Sequence, residues 1–158
     1  ISASGGANYV LGALKYANKC KSNTALITFN NIEKNDFIDQ IISIIIGPEI
    51  ITGSTRMKAG TATKMILNMI STISMIKINK TYQNLMVDLK VSNKKLLDRA
   101  VRIVSEVTNS EYEKSKNILS KAKNNVKIAI LMELLHLDYN SSKMKLDLSH
   151  GNLRKALK

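Results

Sequence analysis

Between Gly47 and Thr61 the chain reads Gly-Pro-Glu-Ile-Ile-Thr-Gly-Ser-Thr-Arg-Met-Lys-Ala-Gly-Thr, a run that holds three glycines and the only proline of the chain. Several hydroxyls, one carboxylate, an Arg and a Lys lie among them. These residue types suit a small anion. Glycine lets a ligand approach the backbone, hydroxyls and free N–H groups donate hydrogen bonds, and the positive end of a following helix favours negative charge. Phosphate is the natural candidate. The run does not fit the nucleotide-binding pattern G-x-x-x-x-G-K-[ST], because Gly60 is followed by Thr61, so a mononucleotide kinase or ATPase is disfavoured. The plain alternative is an ordinary strand-to-helix turn with Thr55 or Ser54 as N-cap.

The elements that must position this run can be read around it. Ile1 to Asn8 is rich in small residues, and Val10, Leu11, Ala13, Leu14 and Ala17 then recur at helical spacing, so a turn feeds a helix start, with Asn8 a possible cap. Thr24 to Phe29 reads as a short strand, Asn30-Asn31 as a polar break, and Glu33 to Ile38 as a brief helical turn. Gln40 to Ile46 is a nearly continuous apolar strand of the kind buried on both faces of a parallel sheet. A long helix follows, running to about Lys77, with Ala62, Met65, Ile66, Met69, Ile70, Ile73 and Ile76 as a broad apolar stripe for core or subunit contact. This order implies an α/β layer, part of a doubly wound parallel sheet. In such sheets ligands sit beyond the carboxyl ends of the strands, where Ser4-Gly5 and the stretch from Glu49 to Thr55 both fall.

From Ser92 onward the pattern is helical. Leu96, Leu97, Ala100, Val101 and Val104 share a face, and Ser110-Glu111-Tyr112-Glu113 has the spacing of a capping box. Lys123-Asn124-Asn125 breaks that helix, Val126 to Leu137 makes a third, and Ser141 to Leu157 a fourth interrupted at Gly151. His136 and His150 lack any metal-ligand spacing, and His150-Gly151 reads as a helix stop. Internal repeats are absent.

Several residue groups recur together in a known pattern. They are Gly47-Pro48-Glu49 with Thr52-Gly53-Ser54-Thr55-Arg56-Met57-Lys58-Ala59-Gly60-Thr61 and Lys64, then Tyr82, Asn84-Leu85-Met86-Val87-Asp88, Asn93 and Lys95-Leu96. Ser4-Gly5 and Tyr9-Val10-Leu11-Gly12-Ala13-Leu14 precede them. This pattern closely resembles the N-acetylmuramic acid 6-phosphate etherases and the related glucokinase regulatory proteins, both of the sugar-isomerase (SIS) phosphosugar-binding superfamily. Thr55 and the Asn-Leu-Met-Val-Asp run favour the etherases. The resemblance covers nearly the whole chain, and it departs at Gly6-Ala7-Asn8, where the etherases usually carry Arg-Thr-Pro.

The resemblance implies residues 1–91 as the C-terminal half of an SIS domain plus linker, and residues 92–158 as a small helical bundle of ubiquitin-associated (UBA) type. The chain starts at Ile1 in what reads as the end of a strand, so a piece of a longer protein is expected, with the missing half before Ile1. The implied reaction is removal of the D-lactyl group from N-acetylmuramic acid 6-phosphate by elimination and hydration, a carbon–oxygen lyase activity in recycling of cell-wall sugar. It requires no metal or other cofactor. The two glutamates that perform it in the family have no counterpart here, so no catalytic residue is assigned. The expected substrate contacts are Ser4, Gly5, Ser54 and Thr55, with Glu49 on sugar hydroxyls or ordering the loop, and Arg56 and Lys58 supplying charge or holding the loop. The alternative is a non-catalytic phosphosugar-binding regulatory module.

Composition bears on partners. The 158 residues carry a net charge of +12, which alone would suggest nucleic acid. The charge is mostly scattered Lys, however, there is no Trp, and aromatics are 4%, so no base-stacking surface is evident and no nucleic-acid partner is expected. Ala62 to Ile78 is interrupted by Lys64, Asn68 and Lys77, so no membrane partner is expected either. A single cysteine, Cys20, excludes an internal disulfide, fits a reducing cytoplasm, and reads as a packing residue. By resemblance the partners are a phosphorylated amino sugar and a second copy in a homodimer.

Overall fold

The computed structural model describes all residues, Ile1–Lys158, and divides into two units, Ile1–Met69 and Ile70–Lys158. In the first, Leu26, Ile27 and Thr28 are buried in strand β1 (Ala25–Thr28), which pairs in parallel with β2 (Gln40–Ser43) in the register Ala25 to Gln40 through Thr28 to Ser43. The pairing runs one bond further at each end, where Gln40 N–H donates to Thr24 O and Ile44 N–H to Thr28 O. On the other side of β1 the opening residues lie alongside, with Ser2 N–H on Ile27 O and Phe29 N–H on Ala3 O. β1 is therefore the covered strand.

β2 is the uncovered one. Ile42, Ile44 and Ile45 are exposed, and the ladder stops short of the expected Ile46. The sequence pattern asks for burial on both faces, and this chain supplies a layer on only part of that area. The segment expected as a helical turn, Glu33 to Ile38, is instead an irregular loop closed by a tight turn at Asp36-Phe37. A side-chain clasp holds it. Asp39 Oδ2 accepts from Thr24 N–H at 2.6 Å and Thr24 Oγ1 donates to Phe37 O at 3.0 Å, and the first of these bonds is the main reason the Asp39 carboxyl is held below its usual pKa.

Helix α1 (Asn8–Lys19) opens at Ala7 without a side-chain cap, so Asn8 does not cap it. Cys20 at its end is exposed, which corrects the packing role expected of it. Helix α2 begins at Lys58 and ends at Lys77, as the apolar run requires. Only Ala59 and Ile66 of α2 are buried, and they join Ile27 and Phe29 in a small core.

The second unit takes in the last turns of α2, from Ile70, and continues with a hairpin of β3 (Thr81–Tyr82) and β4 (Leu85–Met86), turning at Gln83 with φ 53°. Five helices follow: α3 (Lys94–Thr108), α4 (Tyr112–Lys121), α5 (Val126–Leu135), α6 (Tyr139–Leu148) and α7 (Leu153–Ala156). α5 is apolar on nearly every side, and Val126 to Leu131 are all buried, so it becomes the central helix against which the others pack. Asn93, Asn125, Asp138 and Asn152 each accept a backbone N–H three residues on, which caps α3, α5, α6 and α7. α4 differs. Glu111 occupies its cap position without a side-chain bond, because Ser110 is turned to Glu133 on α5 at 3.0 Å, and the expected capping box is not made. Asn109 and His136 stop α3 and α5 in the left-handed conformation, and His150-Gly151 does the same after α6.

Candidate functional site

A cleft of about 140 Å³ lies at the carboxyl ends of β1 and β2, lined by Ala3, Ser4, Phe29, Asn30, Ile46, Gly47, Glu49, Thr55 and Ala59. Three segments build it. The first is the Ser2–Gly6 loop. Ser2 is buried and its Oγ accepts from Gly5 N–H at 3.1 Å, while Ala3 O takes Phe29 N–H, so the loop is tied to the end of β1. Gly5 has φ +80°, and a Cβ there would meet Ile32 Cγ2 at 2.4 Å and Thr28 Oγ1 at 3.0 Å. Only glycine fits this turn.

The second segment is the end of β1 itself. Asn30 presents its side chain at the rim, with Nδ2 3.5 Å from Ala3 O, and Asn30 O accepts from Ser43 Oγ at 2.8 Å, joining the two strand ends. The third is the loop between β2 and α2. Glu49 reaches forward from it and accepts from the first N–H groups of α2, Lys58 N–H at 3.1 Å and Ala59 N–H at 3.0 Å. Lys58 Nζ returns to Pro48 O at 2.8 Å. Glu49, not Thr55 or Ser54, thus caps the helix. Bonds from Ala59 and Lys58 hold its carboxyl below the usual pKa, and the Lys58 charge adds to them.

Ser4, Glu49 and Thr55, far apart in sequence, therefore share one cleft wall. Gly5 lies beneath it as the turn that shapes the Ser4 loop. Ser54 is half-buried, with its N–H on Ile51 O, and Arg56 and Lys58 are exposed; none of these three lines the cleft. Sequence reasoning passed over Asn30 as a polar break, although the strand-end rule it used for Ser4-Gly5 points equally to the residue after β1. The site has a donor-rich wall and an apolar floor of Phe29, Ile46 and Ala59. That arrangement can hold a small polar ligand by hydroxyl and amide groups. No group of three or more His, Cys, Asp or Glu side chains is placed to hold a metal ion. No helix is long and apolar enough to cross a membrane.

Residues 83–129 match the family described as the C-terminal lid domain of glucokinase regulatory protein. Those residues run from the β3–β4 turn into α5. Over 98% of its length the chain is 52% identical to an N-acetylmuramic acid 6-phosphate etherase of Oceanobacillus iheyensis, covering 53% of that protein. The corresponding etherase 2 of Vibrio cholerae is 48% identical over 99% of the chain, which covers 52% of that relative. The etherase of Clostridioides difficile is also 48% identical, over the full chain and 52% of its own length. The chain thus spans about half the length of the curated relatives it matches. The family resemblance read from the loop, the hairpin and the Ser4-Gly5 turn holds from end to end: this chain is similar throughout to one half of an N-acetylmuramic acid 6-phosphate etherase.

Proposed function

We propose that the protein is an N-acetylmuramic acid 6-phosphate etherase, a carbon–oxygen lyase acting in the cytoplasm as a homodimer in cell-wall sugar recycling, of which this chain is the C-terminal portion. The reading rests above all on identity near one half along essentially the whole chain to proteins of that name. A cleft of hydroxyl, amide and carboxylate groups at the ends of parallel strands supports it, because such positions take ligands in α/β sheets. In this reading residues 1–91 belong to an SIS phosphosugar-binding domain with its linker, and residues 92–158 to a UBA-like helical domain.

The chemistry has two halves. A base removes the C2 proton of the sugar while the C3–O bond breaks, and an acid protonates the departing ether oxygen, releasing D-lactate and leaving a C2–C3 double bond. Water then adds, with hydroxide to C3 and a proton to C2, to give N-acetylglucosamine 6-phosphate. Two glutamates with separated pKa values suit these tasks. Glu49 is not assigned to either, since its carboxylate is committed to the start of α2. Ser4, Gly5, Ser54 and Thr55 contact the phosphosugar, Glu49 orders the loop beside its hydroxyls, and Arg56 and Lys58 contribute positive charge. With both catalytic groups supplied elsewhere, this chain alone is inactive.

The test is release of D-lactate from N-acetylmuramic acid 6-phosphate by the protein as its own locus produces it. Stoichiometric lactate is expected. The match to the regulatory protein's lid domain favours the second reading, a phosphosugar-binding regulator. Saturable sugar-phosphate binding with no lactate would replace the etherase by that reading, and neither binding nor lactate would end both.

A further inference from the structure

The cleft at the strand ends measures about 140 Å³, whereas pockets that enclose a whole small ligand run to roughly 300–1,000 Å³. It is therefore the size of one substituent of a sugar. Its floor of Phe29, Ile46 and Ala59 suits a methyl group, and Ser4, Asn30, Glu49 and Thr55 supply the polar wall. Beside the Glu49 carboxylate a neutral group is favoured over an anion. An acetamido group has this make-up: it is uncharged, ends in a methyl, and carries one hydrogen-bond donor and one acceptor.

Among the polar groups of the wall, Asn30 has the uncommitted acceptor. Both Glu49 oxygens are taken by the first N–H groups of α2, and Ser4 Oγ accepts from Gly6 N–H at 3.4 Å. Asn93, Asn125 and Asn152 turn their Oδ1 atoms to the starts of helices. Asn30 Oδ1 has no partner in the chain, and Nδ2 reaches only Ala3 O at 3.5 Å, an oxygen that already takes Phe29 N–H at 3.1 Å. The main chain beneath it is held, because Asn30 O accepts from Ser43 Oγ at 2.8 Å and Asn30 N–H donates to Thr28 Oγ1 at 3.4 Å. A fixed backbone thus presents an unused amide oxygen at the rim.

We propose that Asn30 is a specificity-determining residue that reads the acetamido group at C2 of the sugar, its Oδ1 accepting the amide N–H while the acetyl methyl lies on the floor of Phe29, Ile46 and Ala59. The inference rests on the etherase reading above and adds to it the residue that selects an N-acetylated substrate. A trans secondary amide points its N–H and C=O in opposite directions, so the acetyl oxygen is left to a hydroxyl such as that of Thr55.

The experiment is a cycle between residue and substituent in the natural full-length protein, with N-acetylglucosamine 6-phosphate and 2-deoxyglucose 6-phosphate as the probes for calorimetry. Asn30→Ala should reduce the preference for the acetamido sugar by roughly 3- to 10-fold and leave affinity for the deoxy sugar unchanged. Asn30→Asp keeps an acceptor in place and should retain the preference, whatever its added charge does to both affinities. An unchanged preference in Asn30→Ala overturns the assignment. So does an equal fall in both affinities, which would mean that Asn30 only holds the loop, or a preference lost in Asn30→Asp as fully as in Asn30→Ala. Release of D-lactate by the unmodified protein keeps these failures apart from failure of the etherase reading: lactate with no coupling at Asn30 refutes this inference alone, and neither lactate nor sugar binding refutes both.

Discussion

Thr55 and Ser54 are neighbours in the loop but differ in setting. Thr55 lines the cleft, Ser54 is half-buried beside it, and neither side chain bonds within the chain. Replacing both by alanine should therefore leave the fold intact. A hydrogen bond to a charged group contributes about 1.5–3 kcal/mol, so losing one to phosphate should weaken phosphosugar binding by roughly 10- to 100-fold. Calorimetry with the whole protein measures it, and unchanged affinity would remove both hydroxyls from the site. At this scale the sequence showed residue types well and orientation poorly. Ser4, Glu49 and Thr55 could be selected as polar groups near strand ends, but nothing local showed that Glu49 turns toward backbone N–H groups nine residues ahead. Ser110 was misread for the same reason. Its pairing with Glu133, 23 residues away, replaces the local capping bond that the spacing suggests.

Among the elements, α2 depends on a cap that belongs to another segment. The folded Glu49 carboxyl is held below its usual value near 4.5 by the Ala59 and Lys58 N–H groups. A carboxyl with a depressed folded pKa contributes stability that is present above its unfolded pKa and lost as pH falls through the folded value. Glu49→Gln should lower stability at neutral pH and flatten the loss below pH 4.5 relative to the unmodified protein. Parallel acid titrations by circular dichroism read the difference, and identical profiles would mean the cap contributes nothing. The existence of α2 was legible because a long, mostly apolar run with helical spacing and no proline has few alternatives. The extent of β2 was not, since Ile44, Ile45 and Ile46 satisfy a strand pattern whether or not a neighbouring strand is present to pair with them. Helix starts in the second unit were only partly legible, because Asn and Asp mark caps and turns equally well, and which they serve depends on the packing of α5.

Across the molecule, burial is uneven. The core of the second unit gathers Val101, Val104, Leu119, Ile130 and Leu131, all essentially inaccessible, whereas that of the first unit is Ile27, Phe29, Ala59 and Ile66, and α1 buries no residue. Local opening follows buried apolar contact, so amide exchange should be slowest in α3 and α5, faster in α2 and fastest in α1. Hydrogen exchange read by mass spectrometry checks the order, and protection of α1 equal to that of α5 would contradict it. The deepest cation in the second unit is Lys127, 5% exposed. Its Nζ donates to Asn79 O at 2.7 Å and Gly151 O at 3.0 Å and stands 3.8 Å from Oδ1 of Asp88, whose Oδ2 pairs with Lys80. Desolvation lowers its pKa, an effect the Asp88 charge opposes. An amine fastened in this way is shielded from acylating reagents, while the surface lysines remain open to them. Lys127 is therefore a built-in reporter: its acetylation during brief labelling marks the molecules whose bundle has opened, without any probe having been introduced.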